Sequence, residues 1–244
     1  MRRIALALTK SEGEGKKTGI RLRNCVYRIG PVYARIQFCG LLLLLNICVL
    51  RAALSAHSLQ MVSEGDYVRN TVEVQEAFSR VMDGDPEAVI LFGADAACAH
   101  LIRYARRQAG RPLILCCASN VDLEYVQRVP GPRAGGVIGS QVMPFPPGSG
   151  SELVRDYQAD MIVRGYRQFT HASLEGYAGA RVFVAALQNA GPALINGLAN
   201  GIFTCGPLMF GFDGNLQQRN YAVFLTQISH GRLVPTQQIG LPSR

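Results

Sequence analysis

The chain has 244 residues, 48% of them apolar and 17% charged, with no Trp. That length carries one large α/β domain or two small ones, and the composition excludes a disordered chain. The formal charge of +8 would point to an anionic partner, but Met1 to Arg35 alone holds nine Lys/Arg against two Glu, a net of +7, leaving +1 for the rest.

No nucleic-acid motif accompanies the basic segment, so no nucleic-acid partner is expected. The seven Cys contain no CxxC pair and no Cys/His group at zinc spacing. Neither a metal site nor a disulfide framework is therefore expected. The adjacent Cys116 and Cys117 read as small buried residues.

Arg3 to Thr9 is an apolar run of strand length, followed by the Gly-rich turn Lys10 to Gly15. The stretch from Ile20 to Leu50 begins basic and ends in the thirteen-residue apolar run Phe38 to Leu50. That run is short for a membrane-spanning helix. Three readings stand: a buried helix, a late signal or anchor with a cleavage site near Ala53 to Ser55, or sequence altered by a frame shift or fusion.

From Ala52 the pattern is regular. Leu59 to Tyr67 reads as a strand. Asn70 and Glu73 stand at capping-box spacing before a helix whose inner face is Val74, Ala77, Phe78 and Val81. Gly84-Asp85-Pro86 stops that helix, and Ala88 to Phe92 is a buried strand. Asp95 is expected to cap the next helix. Cys98, Leu101, Ile102 and Ala105 face inward there, His100, Arg103 and Arg107 outward, and Gly110 ends it. Pro112 to Cys117 is a strand, Ser119-Asn120 a turn, Asp122 to Arg128 a short helix and Gly136 to Met143 a further strand. Strands alternating with helices over short connections predict βαβ units and a mostly parallel sheet.

Pro144 to Gly150 is a Pro/Gly/Ser loop, taken as a crossing between lobes. Ser151 caps a helix with Val154, Tyr157 and Met161 inward. A second helix, Ser173 to Ala190, is apolar round most of its circumference and wants cover on more than one side. A short helix near Leu194 to Ala199, then Met209 to Phe212, the strand Tyr221 to Ser229, a turn at His230-Gly231 and Leu233-Val234 complete the chain.

Enzyme signatures are missing. There is no GxSxG, and Gly13-Glu14-Gly15 lacks the Lys-Ser/Thr end of a phosphate loop. A flavodoxin-like enzyme would need a cofactor loop that the sequence does not supply, so neither catalytic residues nor a cofactor is expected. His57, His100, His171 and His230 are scattered and read as surface residues.

Several stretches occur in a telling order. Tyr67-Val-Arg-Asn-Thr-Val-Glu-Val74 leads to Asp85-Pro-Glu-Ala-Val-Ile-Leu91. Gly139-Ser-Gln-Val-Met-Pro144 precedes Leu153-Val-Arg-Asp-Tyr157. Ser173-Leu-Glu-Gly-Tyr-Ala-Gly-Ala-Arg181 ends in Leu187-Gln-Asn-Ala-Gly-Pro192, and Gly211-Phe-Asp-Gly214 is followed by Val223-Phe-Leu-Thr226 and His230-Gly-Arg-Leu-Val234. In this order and spacing, over about three-quarters of the chain, they resemble the type I solute-binding proteins of ABC importers, in the branched-chain amino acid receptor group.

The resemblance implies an α/β, type I periplasmic-binding-protein-like fold, a parallel sheet with helices on both faces. Residues 59–145 and 202–240 would form the second lobe, 146–201 the helices returning to a first lobe that is mostly missing, and 1–58 an atypical segment in a chain truncated at its N-terminus. The implied function is the solute-binding component of an ABC import system, holding an amino acid or similar carboxylate between two lobes. Its partners would be that small solute and a membrane permease, and its location the periplasm. The chain as written shows no standard signal peptide, which would make it cytoplasmic. A ligand sensor or regulator of the same fold, or a truncated product without function, are the alternatives.

Three turns at strand ends are the implied solute contacts: Ser11 and Glu12; Gly93, Ala94 and Asp95; and Ser119, Asn120 and Val121. Relatives often carry an aromatic residue at the first two turns and sometimes an acid at the third. Glu12, Ala94 and Asn120 depart from that pattern, which weakens an amino-acid assignment. Glu12 or Asp95 would instead pair with a cationic group, or each serves only its own turn. Glu175 is implied to be a structural contact, not a catalytic acid. The sheet partner of helix 173–190 would be missing, so exposed apolar surface, or self-association through it, is expected.

Overall fold

The computed structural model describes residues 3–10, 50–148, 150–190, 202–205, 208–212, 218–219 and 222–237. The chain divides into two compact units, Met1–Ala134 with Leu241–Arg244, and Gly135–Gly240. Ser11, Glu12, most of the basic and apolar stretch ending at Leu50, and the expected short helix at 194–199 lie outside the described residues.

The first unit is built on parallel strands. β1 (Arg3–Lys10) pairs on one side with β2 (Gln60–Val68) and on the other with β3 (Ala88–Phe92), which pairs in turn with β4 (Ile114–Cys117). Burial alternates along these short apolar runs. Ala5, Ala7, Val89, Leu91, Leu115 and Cys117 line one face and are buried, while Ala88, Ile90, Phe92, Ile114 and Cys116 on the other face are half-buried.

The helices that link these strands or follow them include α1 (Gln75–Met82), α2 (Asp95–Gln108) and α3 (Leu123–Arg128). The 3.6-residue period decides which faces they bury. Ala77, Phe78 and Val81 of α1, and Cys98, Leu101, Ile102 and Ala105 of α2, are inside as their spacing predicts. Gly65 of β2 lets α1 sit close to the sheet, because an added Cβ would stand 2.1 Å from the Ala77 carbonyl oxygen.

One cap here differs from expectation. The Asn70/Glu73 capping box does not form. α1 begins at Gln75 with Val74 as its N-cap, and Asn70 adopts a left-handed φ of 63° in the preceding turn, a conformation Asn tolerates better than most residues. Gly110, in contrast, ends α2 as expected, with φ 65°.

The second unit holds β5 (Ile138–Gln141), then α4 (Glu152–Val163) and α5 (His171–Ala190). Its strands pair antiparallel: β5 with β9 (Phe224–Ser229), and β9 with β10 (Arg232–Thr236), the hairpin turning at His230 and Gly231, both at positive φ. A separate antiparallel set joins β6 (Ile202–Cys205), β7 (Leu208–Phe212) and β8 (Gln218–Arg219).

The core of this unit gathers Leu153, Val154 and Tyr157 from α4, Leu174, Ala178, Val182 and Ala186 from α5, and Leu208. Ser151 caps α4 as expected, its hydroxyl accepting the Val154 amide at 3.3 Å. Helix α5 starts two residues before the expected Ser173. Thr170 and Ser173 cap it reciprocally, each hydroxyl accepting the other's backbone N–H, and the Ser173 hydroxyl also meets the Tyr157 hydroxyl at 2.5 Å. That earlier start corrects the reading of His171. It is not a surface loop residue but lies in the first turn of α5, 8% exposed, with its ring against Phe145.

Candidate functional site

In an open parallel sheet, ligands sit beyond the C-terminal ends of the strands. In the first unit that edge carries the turn Gly93–Asp95 after β3 and the turn Ser119–Val121 after β4. The structure brings these two turns together. Ala118 N–H donates to Leu91 O at 3.0 Å, Asn120 Nδ2 donates to Gly93 O at 3.0 Å, and Asp122 N–H donates to Asp95 Oδ1 at 2.8 Å. Ala94, Ser119 and Asn120 are exposed, Gly93 and Asp95 half-buried, and Val121 is buried.

The bonds settle the local roles of several residues. Asp95 does not cap α2. It is the helix's first residue, and one of its carboxylate oxygens is engaged by the neighbouring turn. The N-cap is Ala94, whose extended backbone (φ −74°, ψ 147°) suits the position but whose methyl accepts no hydrogen bond. The first turn of α2 therefore receives no side-chain cap from Ala94, and the helix begins at the strand-end edge. The turn after β4 is arranged differently. Asp122 caps α3 by accepting the Glu124 amide at 2.9 Å. Burial, followed by the hydrogen bond and charge of Glu124, pushes the Asp122 carboxyl up to about 6.

Below the Gly93–Asp95 turn lies a buried polar group that sequence reasoning did not single out. Tyr67, near the C-terminal end of β2 and aligned with Thr9 of β1, is 5% exposed. Its hydroxyl lies near the Ala94 backbone and the Cys98 thiol, but without hydrogen-bond geometry to a partner among the described residues. Burial holds its proton firmly. The only signal in the sequence is an aromatic residue with a polar tip near the end of a strand. Burial also pushes the Cys98 thiol up to about 12 and the Cys116 thiol up to about 11, and raises Cys117. These thiols stay protonated at neutral pH, which makes them packing groups and not nucleophiles.

Two clefts lie elsewhere. One of about 330 Å³, lined by Arg51, Ser55, Ser58, Leu59, Gln60 and Met61, opens at the N-terminal end of β2, the opposite end from the turns. The other, of about 580 Å³, lies in the second unit between Phe145 and the paired ends of β9 and β10. None of their described lining residues is among the predicted contacts. Among the described residues, no group of three His, Cys, Asp or Glu could hold a metal ion, and no helix is long and apolar enough to cross a membrane.

Residues 48–232 match the family model described as periplasmic binding protein. The chain belongs to that family. Solved structures share its fold at low identity. One is a possible leucine/isoleucine/valine-binding protein from Rhodopirellula baltica, 22% identical, with a TM-score of 0.69, covering 96% of this chain and 58% of its own. Another is an extracellular ligand-binding receptor from Verminephrobacter eiseniae, 19% identical, with a TM-score of 0.70, covering 94% of this chain and 60% of its own. A third is a solute-binding protein of an ABC transporter from R. palustris in complex with benzoate, 12% identical, with a TM-score of 0.65, covering 98% of this chain and 58% of its own. The chain thus spans about three-fifths of the length of these relatives. No curated protein sequence matches it. The type I periplasmic-binding-protein fold expected from the sequence is the fold observed.

Proposed function

We propose that this member of the periplasmic binding protein family is the solute-binding component of an ABC import system, working in the periplasm and delivering its solute to a membrane permease. The solute is a small carboxylate, an amino acid or an aromatic or aliphatic acid. It is received at the strand-end edge of the first unit by Gly93, Ala94 and Asp95, by Ser119, Asn120 and Val121, and by Ser11 and Glu12 after β1. In this reading 59–145 and 202–240 form the second lobe of a two-lobed clamp, and 146–201 returns to the first. The outward face of α5 is then a contact surface for a partner, a second copy included.

One observation carries the carboxylate assignment. The N-terminus of α2 lies at the strand-end edge with an N-cap that supplies no acceptor. Such amides, with the helix dipole behind them, favour an anion. The two hydrogen bonds from the β4 turn, to Gly93 O and Asp95 Oδ1, hold the turn in place before a ligand arrives, which lowers the ordering cost of binding.

The test is titration calorimetry of the full chain with a panel of amino acids and aromatic and aliphatic carboxylates, repeated on Ala94→Asp. The introduced carboxylate caps α2 and occupies its amides. Stability should rise by about 0.5–2 kcal/mol while carboxylate binding is lost. Absence of binding to the wild-type chain at millimolar concentration, or unchanged binding by the variant, would sink this reading.

A further inference from the structure

A buried hydroxyl without a hydrogen bond calls for an explanation, because burial removes its water without replacing it. Tyr67 carries such a group. It is 5% exposed, and its hydroxyl has no hydrogen-bond partner among the described residues. Burial holds the phenol proton in place, so at neutral pH the group can both donate and accept.

Its surroundings are specific. The hydroxyl lies near the Ala94 backbone and the Cys98 thiol. Both belong to the N-terminal turn of α2, and they are joined, since the Cys98 amide donates to the Ala94 carbonyl at 3.0 Å. The neighbouring turn ties this one as well. Asn120 Nδ2 donates to Gly93 O, and Asp122 N–H donates to Asp95 Oδ1. Those two bonds hold the residues on either side of Ala94 and not Ala94 itself. Ala94 is exposed, while Tyr67 beneath its backbone is buried. A solute resting on Ala94 and the Tyr67 phenol would therefore stand on opposite sides of one turn.

We propose that Tyr67 is a positioning residue of the solute site: a carboxylate seated at the N-terminus of α2 presses the Ala94 turn onto the Tyr67 hydroxyl, which then makes the hydrogen bond it lacks in the free chain. The inference rests on the solute reading above and concerns a residue that touches no solute. Any helix N-terminus favours an anion. The buried hydroxyl sets this one apart, because a state that satisfies it is favoured over one that does not, and a ligand that selects the first state binds more tightly for it.

Tyr67→Phe keeps the ring and removes only the oxygen. Two readouts should then move in opposite directions. Without ligand, the urea midpoint of the full chain should rise, because a buried hydroxyl without a partner is gone. With the acid that the wild-type chain binds best, titration calorimetry should show affinity lower by about tenfold. A tyrosine that serves packing alone gives no such pair of effects. In the wild-type chain, the ζ-carbon resonance of Tyr67 should shift when that acid saturates the site, a measurement that needs no variant to fold.

Unchanged affinity of Tyr67→Phe would overturn the inference. So would loss of stability or of folding by that variant without ligand, since the hydroxyl would already be bonded in the free chain, or a ζ-carbon resonance that stays in place. Each of these leaves carboxylate binding by the wild type standing. If the wild type binds none of the acids, the solute reading fails and this inference falls with it.

Discussion

Helices α2 and α5 bury apolar stripes of the same kind and differ on the side that faces out. Outward, α2 carries His100, Arg103 and Arg107, and its buried residues satisfy its whole apolar stripe. Outward, α5 carries glycine, alanine, Phe183, Val184 and Leu187. A helix of the first kind is explained by its own chain. A helix of the second kind is explained only in part, and the remainder of its sequence describes a surface.

Truncation separates the two most sharply. Ile102→Ala removes a fully buried side chain from the inner face of α2 and should cost about 2–5 kcal/mol, measured by urea denaturation. Leu187→Ala, on the outer face of α5, should change the stability of the monomer by no more than about 0.5 kcal/mol. A cost of several kcal/mol at Leu187 would show that the chain itself covers the outer face, and the contrast between the helices would dissolve.

Glycines give a second, smaller contrast. At Gly65 a Cβ collides with the backbone of α1, and neither element yields without moving the other. Gly65→Ala should destabilise by about 1–3 kcal/mol. At Gly176 the space is open, and Gly176→Ala should stabilise by up to about 1 kcal/mol. Equal effects of the same sign at both positions would remove the distinction between a glycine kept for packing within the chain and one kept for an outside contact.

Much of this was legible from period and punctuation. The inner faces of α1 and α2, the strand Ala88–Phe92, the Ser151 cap and the Gly110 stop follow from local rules that tertiary structure had no reason to override. The exposed apolar face of α5 was legible too, because an all-round apolar helix has more apolar surface than one core can take. What could not be read were hydrogen bonds between segments distant in sequence. Asn70 and Glu73 have capping-box spacing, yet the backbone at Asn70 turns left-handed first. Asp95 looks like a cap until the amide of Asp122 arrives from the next turn. Tyr67 shows a buried hydroxyl, without a hydrogen-bond partner among the described residues, only when the strands are assembled around it. Of the proposed contacts, Gly93 to Asp95 and Ser119 to Val121 do converge, but the sequence offered no way to see that Asn120 and Asp95 would be occupied with each other's turns.

The smallest expected effect concerns that convergence. The Asp122 carboxyl is raised above its ordinary value of 3.8 to about 6, so between those two pH values the folded chain holds a proton that the unfolded chain has released. Stability therefore falls as pH rises across that window. Below about 4 the favourable contribution is fully present, and above about 6 it is gone. Asp122→Asn keeps an oxygen to accept the Glu124 amide but cannot titrate. The melting temperature of the variant, minus that of the wild type, should accordingly rise from pH 4 to pH 6 and level off beyond. If the difference stays flat from pH 4 to pH 7, the proton is not held in the folded state. The turn joining β4 to α3 would then be as open to solvent as the outer face of α5, and the contrast between a rim tied by its own hydrogen bonds and a face left for a partner would narrow.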